Sequence, residues 1–123
     1  MMSKKALALA GLLTALMAAP VAAQDFRAVT DEGEFRALMQ QGNVSKRLYN
    51  LSLNVQQNGQ ISGSAMGWDV TGSWSWQNGY FCREMNWGGD PIPYNCQLVE
   101  VAGPDVRFTS DQGAGDSETF RIR

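Results

Sequence analysis

Four tryptophans, Trp68, Trp74, Trp76 and Trp87, share a stretch of fewer than thirty residues with Tyr80, Phe81 and Tyr94. Rings at that density offer flat apolar faces with polar handles, which is the chemistry that holds an apolar or sugar-like molecule in a cup. The candidate ligand-binding residues are therefore Trp68, Trp74, Trp76, Tyr80, Arg83 and Trp87. A second reading competes for part of this set. Trp74 and Trp76 alternate strictly beside small residues, the pattern of a strand face turned to a core, whereas Trp68 and Trp87 adjoin turn signals and are the better candidates for exposure.

Carboxylates are the next groups able to do chemistry. Glu84, Asp69 and Asp90 lie near the aromatic segment, and glycoside hydrolysis needs two carboxyls roughly 5 to 9 Å apart. Nothing in their spacing brings two together, and Glu84, alternating with Arg83, also reads as a solvated strand face or a cross-strand ion pair. Between Asp111 and Asp116 two acids flank a glycine-rich run, the composition of a weak cation or anion loop. It lacks the acidic spacing of an EF-hand, and its Gly-x-Gly leads into a strand pattern where a dinucleotide fingerprint opens a helix. A bulged hairpin turn accounts for the same glycines. The chain has no histidine, which removes Ser-His-Asp and Cys-His catalysis and His-based zinc sites. No catalytic residue, metal ligand set or cofactor is assigned.

Cys82 and Cys96 are the only cysteines. Thirteen intervening residues do not suit a redox C-x-x-C pair, and an even count in a small exported domain reads as a disulfide. Closing a loop of about 15 residues stabilises by on the order of 3 kcal/mol in the chain-entropy model.

Export is indicated at the start of the chain. Lys4 and Lys5 precede an apolar run from Ala6 to Met17, and small residues through Ala23 form a cleavage site, so residues 1–23 read as a signal peptide and 24–123 as one small domain. The expected location is periplasmic or secreted. Cleavage would leave eight Lys plus Arg against twelve Asp plus Glu, a balance with no basic run for nucleic acid. No later stretch approaches the ~18 apolar residues of a membrane span.

The elements that must position these groups follow from periodicity. Phe35, Leu38 and Met39 at i, i+3, i+4 predict one short helix between Thr30 and Gly42, with Asp31 and Glu34 as a capping box and Gly42 as a left-handed stop. Asn43 to Lys46 reads as a polar linker. From Arg47 the period becomes two: Tyr49, Leu51, Leu53 and Val55, then Ile61, Gly63 and Ala65, then Val70, Gly72, Trp74 and Trp76. Asn58-Gly59 and Asn78-Gly79 carry the signature of type I′ hairpins. Residues 88–93, with two prolines, read as a loop. Asn95 to Val101, Val106 to Ser110 and Thr119 to Ile122 complete about seven strands. Seven strands in so small a chain fray unless the sheet curls, and glycines 63, 67 and 72 can accommodate curvature. The fold class is all-β, a small antiparallel up-and-down barrel or half-barrel with one short N-terminal helix; a two-layer sandwich is the alternative.

The segments Gly72 to Arg83, Tyr94 to Gln97 and Phe108 to Ser117 together resemble a family of small exported bacterial proteins of unknown function. Members often carry the label dihydrodipicolinate reductase, which conflicts with the residues here: such a reductase has a Rossmann domain, and this chain has no strand, glycine-rich turn and helix unit. The resemblance implies a shared fold and no catalytic residue. In shape the chain is also similar to lipocalin-like and bacterial protease-inhibitor barrels.

Three functions remain in view. A non-enzymatic module would bind a small apolar ligand or an envelope protein. An enzyme, reductase or carboxylate hydrolase, would need convergent acids in a cleft. A protease-inhibitor-like protein would present a rigid exposed segment, for which Gly88 to Tyr94, pinned by the disulfide, is the candidate.

Overall fold

The structure, a computed structural model, describes residues 25–123; the signal peptide assigned to residues 1–23 lies outside them. The described chain runs β1 (Arg27–Val29), α1 (Glu32–Met39), β2 (Val44–Lys46), β3 (Leu51–Val55), β4 (Gln60–Ala65), β5 (Trp68–Gln77), β6 (Tyr80–Trp87), β7 (Asp90–Ala102), β8 (Asp105–Thr109) and β9 (Ser117–Ile122). Strands β2 to β9 pair each with the next, all antiparallel, and β9 returns to β2 through Val44↔Ile122 and Ser45↔Arg121. This is a closed eight-stranded up-and-down barrel. β1 is an addition: Val99 to Val101 pair with both β8 and β1, so β1 occupies the flank of β7 that β6 has left.

The alternation that marks β3 to β5 turns Leu53, Val55, Ile61, Ala65, Val70 and Trp74 into the core. Curvature is concentrated where glycine has no side chain to obstruct it. A Cβ on Gly72 would lie 2.4 Å from the Glu84 carbonyl oxygen, and one on Gly63 would lie 2.1 Å from that of Ser52. Three hairpins turn on pairs with positive φ, Met66-Gly67, Asn78-Gly79 and Gly88-Gly89, as type I′ geometry requires. The Asn58-Gly59 turn departs from that expectation. Only Gly59 has positive φ, Gly59 N–H donates to the Gln56 carbonyl, and Asn58 Oδ1 accepts from the Gln60 N–H, so the longer loop is a four-residue turn closed by a glycine bulge.

Three strand assignments also need correction. Residues 44–46 are strand β2, the element that closes the barrel, because Val44 faces the core while Ser45 and Lys46 give the segment a polar look. Tyr49 belongs to a short 3-10 turn over Arg47–Tyr49, and β3 begins at Leu51. Residues 90–93 are strand: Pro91 pairs with Asn86 and Ile92 with Met85, since the first half of β7 has β6 on one flank and no strand on the other, where a missing N–H costs nothing.

Helix α1 closes one end. Asp31 caps it by accepting from the Glu34 N–H at 2.9 Å, while the Glu34 carboxylate turns to Arg27 at 2.6 Å. Gly42 is not left-handed as expected; its missing Cβ makes room for the backbone of Arg123, which exchanges hydrogen bonds with Asn43. Arg36 Nη1 donates to the Gln57 carbonyl and Gln57 Nε2 to that of Arg36, tying the helix to the β3–β4 turn. Phe35, fully buried, meets Trp74, Trp76 and Phe81 at ring distances of 5.4, 4.9 and 5.0 Å. Cys82 and Cys96 are bonded, at directly opposed positions of β6 and β7.

Replacing Phe35 with alanine should lower stability to unfolding in urea by about 3 to 5 kcal/mol, the range for emptying a buried aromatic site. A loss under about 1 kcal/mol would show that the helix is not the plug. The double variant Cys82→Ser, Cys96→Ser should keep a β-rich circular dichroism spectrum and lose about 3 kcal/mol; an unchanged melting temperature would refute the cross-link as a stabilising element.

Candidate functional site

Inside the barrel the aromatic cluster fills only the helix end. Beyond Phe81 lies a cavity of about 290 Å³, near the lower limit of the ~300 to 1,000 Å³ usual for small-molecule sites. Leu53, Ile61, Met85, Phe108 and Phe120 make its walls apolar, and the exposed Asp116 and Ser117 mark where it meets solvent. Its polar groups are few. Arg83, Gln97, Ser110 and Glu118 reach it from β6, β7, the end of β8 and β9.

Register explains why Arg83 is among them. Arg83 is opposite Trp74 and Phe81 opposite Trp76, so Arg83 stands on the inner face that those tryptophans define. Next to it β7 bulges: Arg83 pairs with Asn95 and Met85 with Ile92, leaving Pro93 and Tyr94 opposite Glu84 alone. The bulge presents the Pro93 carbonyl, which accepts from Arg83 Nη1 at 2.7 Å. Half-burial holds the guanidinium below its ordinary pKa through desolvation, yet an arginine stays charged at any physiological pH. Among the described residues no carboxylate lies within ion-pair distance of it.

The opposite wall is neutralised internally. Lys46 Nζ pairs with Glu118 and lies 5.4 Å from the Phe120 ring centre. Gln97 Nε2 points at Ser110 Oγ across 3.5 Å, a weak bond. The β8–β9 connection is held over the bulge by Asn95, whose Nδ2 donates to Asp111 Oδ1 and whose Oδ1 accepts from the Asp111 N–H, at 2.8 and 2.9 Å.

The residues named from sequence divide accordingly. Arg83 lines the cavity. Trp74 is buried, its indole N–H donating to the Gln56 carbonyl, and Trp76 is half-buried and stacked on Phe35, so both belong to the plug. Trp87, which donates to the Ala65 carbonyl, and the exposed Trp68 flank a separate shallow cleft with Gly88 and Asp90 at the far rim. Tyr80 is half-exposed at the start of β6, opposite Gln77 and outside the cavity. Asp111 is engaged by Asn95 while Asp116 is at the cavity wall, and among the described residues no three His, Cys, Asp or Glu side chains group as a metal site. Glu84 and Asp69 lie on the outer face four positions apart along the β5–β6 ladder, about 13 Å at ~3.3 Å per residue, which exceeds the carboxylate spacing of glycosidases.

Sequence reasoning missed Lys46, Gln97, Ser110 and Glu118. The alternation Glu118, Phe120, Ile122 places Glu118 on the inner face and was the one available signal. Comparison with protein-family models, curated proteins and solved structures gives no match. Among the described residues no helix is long and apolar enough to cross a membrane.

Asn95→Ala should speed hydrogen exchange at the Asp111 amide and lower global stability by only about 1 kcal/mol. Unchanged exchange there would mean that the connection is held by its own turn and not by β7.

Proposed function

We propose that this protein is an exported, non-enzymatic binding module that takes a small, largely apolar molecule into its barrel. The observation that carries this reading is the apolar cavity inside a closed barrel whose opposite end is already filled by Phe35, Trp74 and Trp76. Well-packed interiors leave few voids larger than a water molecule, so an unfilled volume of this size, bounded by Phe81, Phe108 and Phe120, is matched by a ligand better than by structure alone. A periplasmic or secreted location belongs to the same proposal and is supported by the Cys82–Cys96 bond, which persists in oxidising compartments. Membership of the exported family that the sequence resembles is part of it as well.

An enzymatic reading has less support. Glu84 and Asp69 do not converge, and among the described residues that line the cavity no hydrogen bond joins a nucleophile to a base. The inhibitor-like reading is weakened by the placement of residues 90–92, which are laddered to β6, with Pro93 and Tyr94 forming a bulge within the same strand and not a free loop.

N-phenyl-1-naphthylamine, a neutral apolar probe, should gain fluorescence on mixing with the protein and saturate at one site. Ile61→Phe, which puts a ring into the cavity, should keep the fold and weaken the probe at least about tenfold, the effect of removing the space for even part of a ring. Equal binding by the variant would place the probe elsewhere and contradict the proposal.

A further inference from the structure

We infer that the occupant of this cavity is a monocarboxylic acid with an apolar body, its carboxylate held by Arg83 and its body lying against Phe81, Leu53 and Phe108. The inference rests on the reading of the barrel as a binding module and adds the chemistry of the ligand's head.

Arg83 is an unusual group to turn inward. A guanidinium carries five N–H donors in a planar fork, and among the described residues one hydrogen bond, to the Pro93 carbonyl, engages it. Among the described residues every other arginine or lysine that lies within a strand has an acid: Arg27 has Glu34, Lys46 has Glu118, Arg107 has Glu100 and Arg121 has Asp105. Arg83 alone of these faces an apolar chamber with its charge uncompensated. Taking an ion out of water is costly unless a counter-ion with matching geometry is supplied, and a carboxylate fits the guanidinium fork with two parallel bonds. The Pro93 bond fixes one arm of the fork from the bulge side and so aims the remainder at the cavity.

Two acids also reach the cavity, and they bear on the sign of the ligand. Glu118 is matched by Lys46, leaving that wall close to neutral. Asp116 is exposed, where water and salt weaken its repulsion. Arg83 is half-buried, so its attraction acts at short range in a poorer dielectric and outweighs that of an exposed acid. Gln97 and Ser110, joined only by a weak bond, can turn donors to the same head group. The twelve acids against ten bases of the whole chain give no long-range attraction for an anion, so selectivity must come from this local contact.

Calorimetric titration with octanoate and with 1-octanol compares one apolar body carrying a carboxylate or a hydroxyl. Wild-type protein should bind octanoate at least about tenfold more tightly than octanol, the effect of a charge-assisted hydrogen bond. Arg83→Gln should bring octanoate affinity down to that of octanol, with octanol and N-phenyl-1-naphthylamine still binding, and Arg83→Lys should restore part of the preference. Equal affinity of the two compounds for the wild-type protein would overturn the inference without need of a variant, as would a preference that survives Arg83→Gln. Failure of the neutral probe and of both compounds to bind would overturn the binding-module reading itself, whereas probe binding with no preference for the acid would overturn the carboxylic-acid inference and leave the binding module standing.

Discussion

An eight-stranded barrel encloses an interior that side chains can just fill, and the rest of this structure depends on how that volume is shared. Phe35 enters from the helix and meets Trp74, Trp76 and Phe81, while Phe81 continues to Phe108 and Phe108 to Phe120 at 5.4 and 5.8 Å. The rings thus fill one end completely and only line the other. Small residues on the inner face, Gly63, Ala65 and Gly72, permit the coiling that closes the sheet and contribute no bulk toward the open half. Without the plug the core would lose the rings that fill its helix end; with a second plug the barrel would lack a cavity.

Polar chemistry enters the open half through one irregular place. The disulfide joins Cys82 and Cys96, and the neighbouring pair along the ladder is Arg83↔Asn95, immediately before the bulge. A covalent cross-link there holds the two strands in register where the ladder is about to break. The bulge then serves both sides of the site, since Pro93 restrains Arg83 and Asn95 restrains Asp111. Cross-link, bulge and Asn95 pair together position one cation and one loop at the cavity.

Much of the fold was legible because long strands repeat their signal. Leu51, Leu53 and Val55, or Val70, Gly72, Trp74 and Trp76, alternate over enough residues to define a buried face, and Asn78-Gly79 names its turn. Strands β1 and β2, three residues each, show too little of any period, and β2 carries Lys46 inward against the in-and-out rule. The prolines of β7 misled for another reason: proline excludes a central strand, and whether a strand is flanked on one side or two is a property of the closed sheet. The site was legible in part. Arg83 could be named from the aromatic segment, yet its inward direction follows only from its pairing with Trp74. Trp74 and Trp76 proved to be the plug that leaves the cavity open, and Lys46 and Glu118 were hidden because inward charges become intelligible only once they are paired.

Methyl-resolved NMR of the protein titrated with N-phenyl-1-naphthylamine shows whether a ligand enters the barrel. A ligand in the cavity should shift Val44, Leu53 and Ile61, which line it, and leave Val29 in the plugged half and the exposed Leu48 and Met66 unmoved. Shifts confined to Leu48 and Met66, with the interior methyls unmoved, would contradict that placement and make the barrel a filled scaffold.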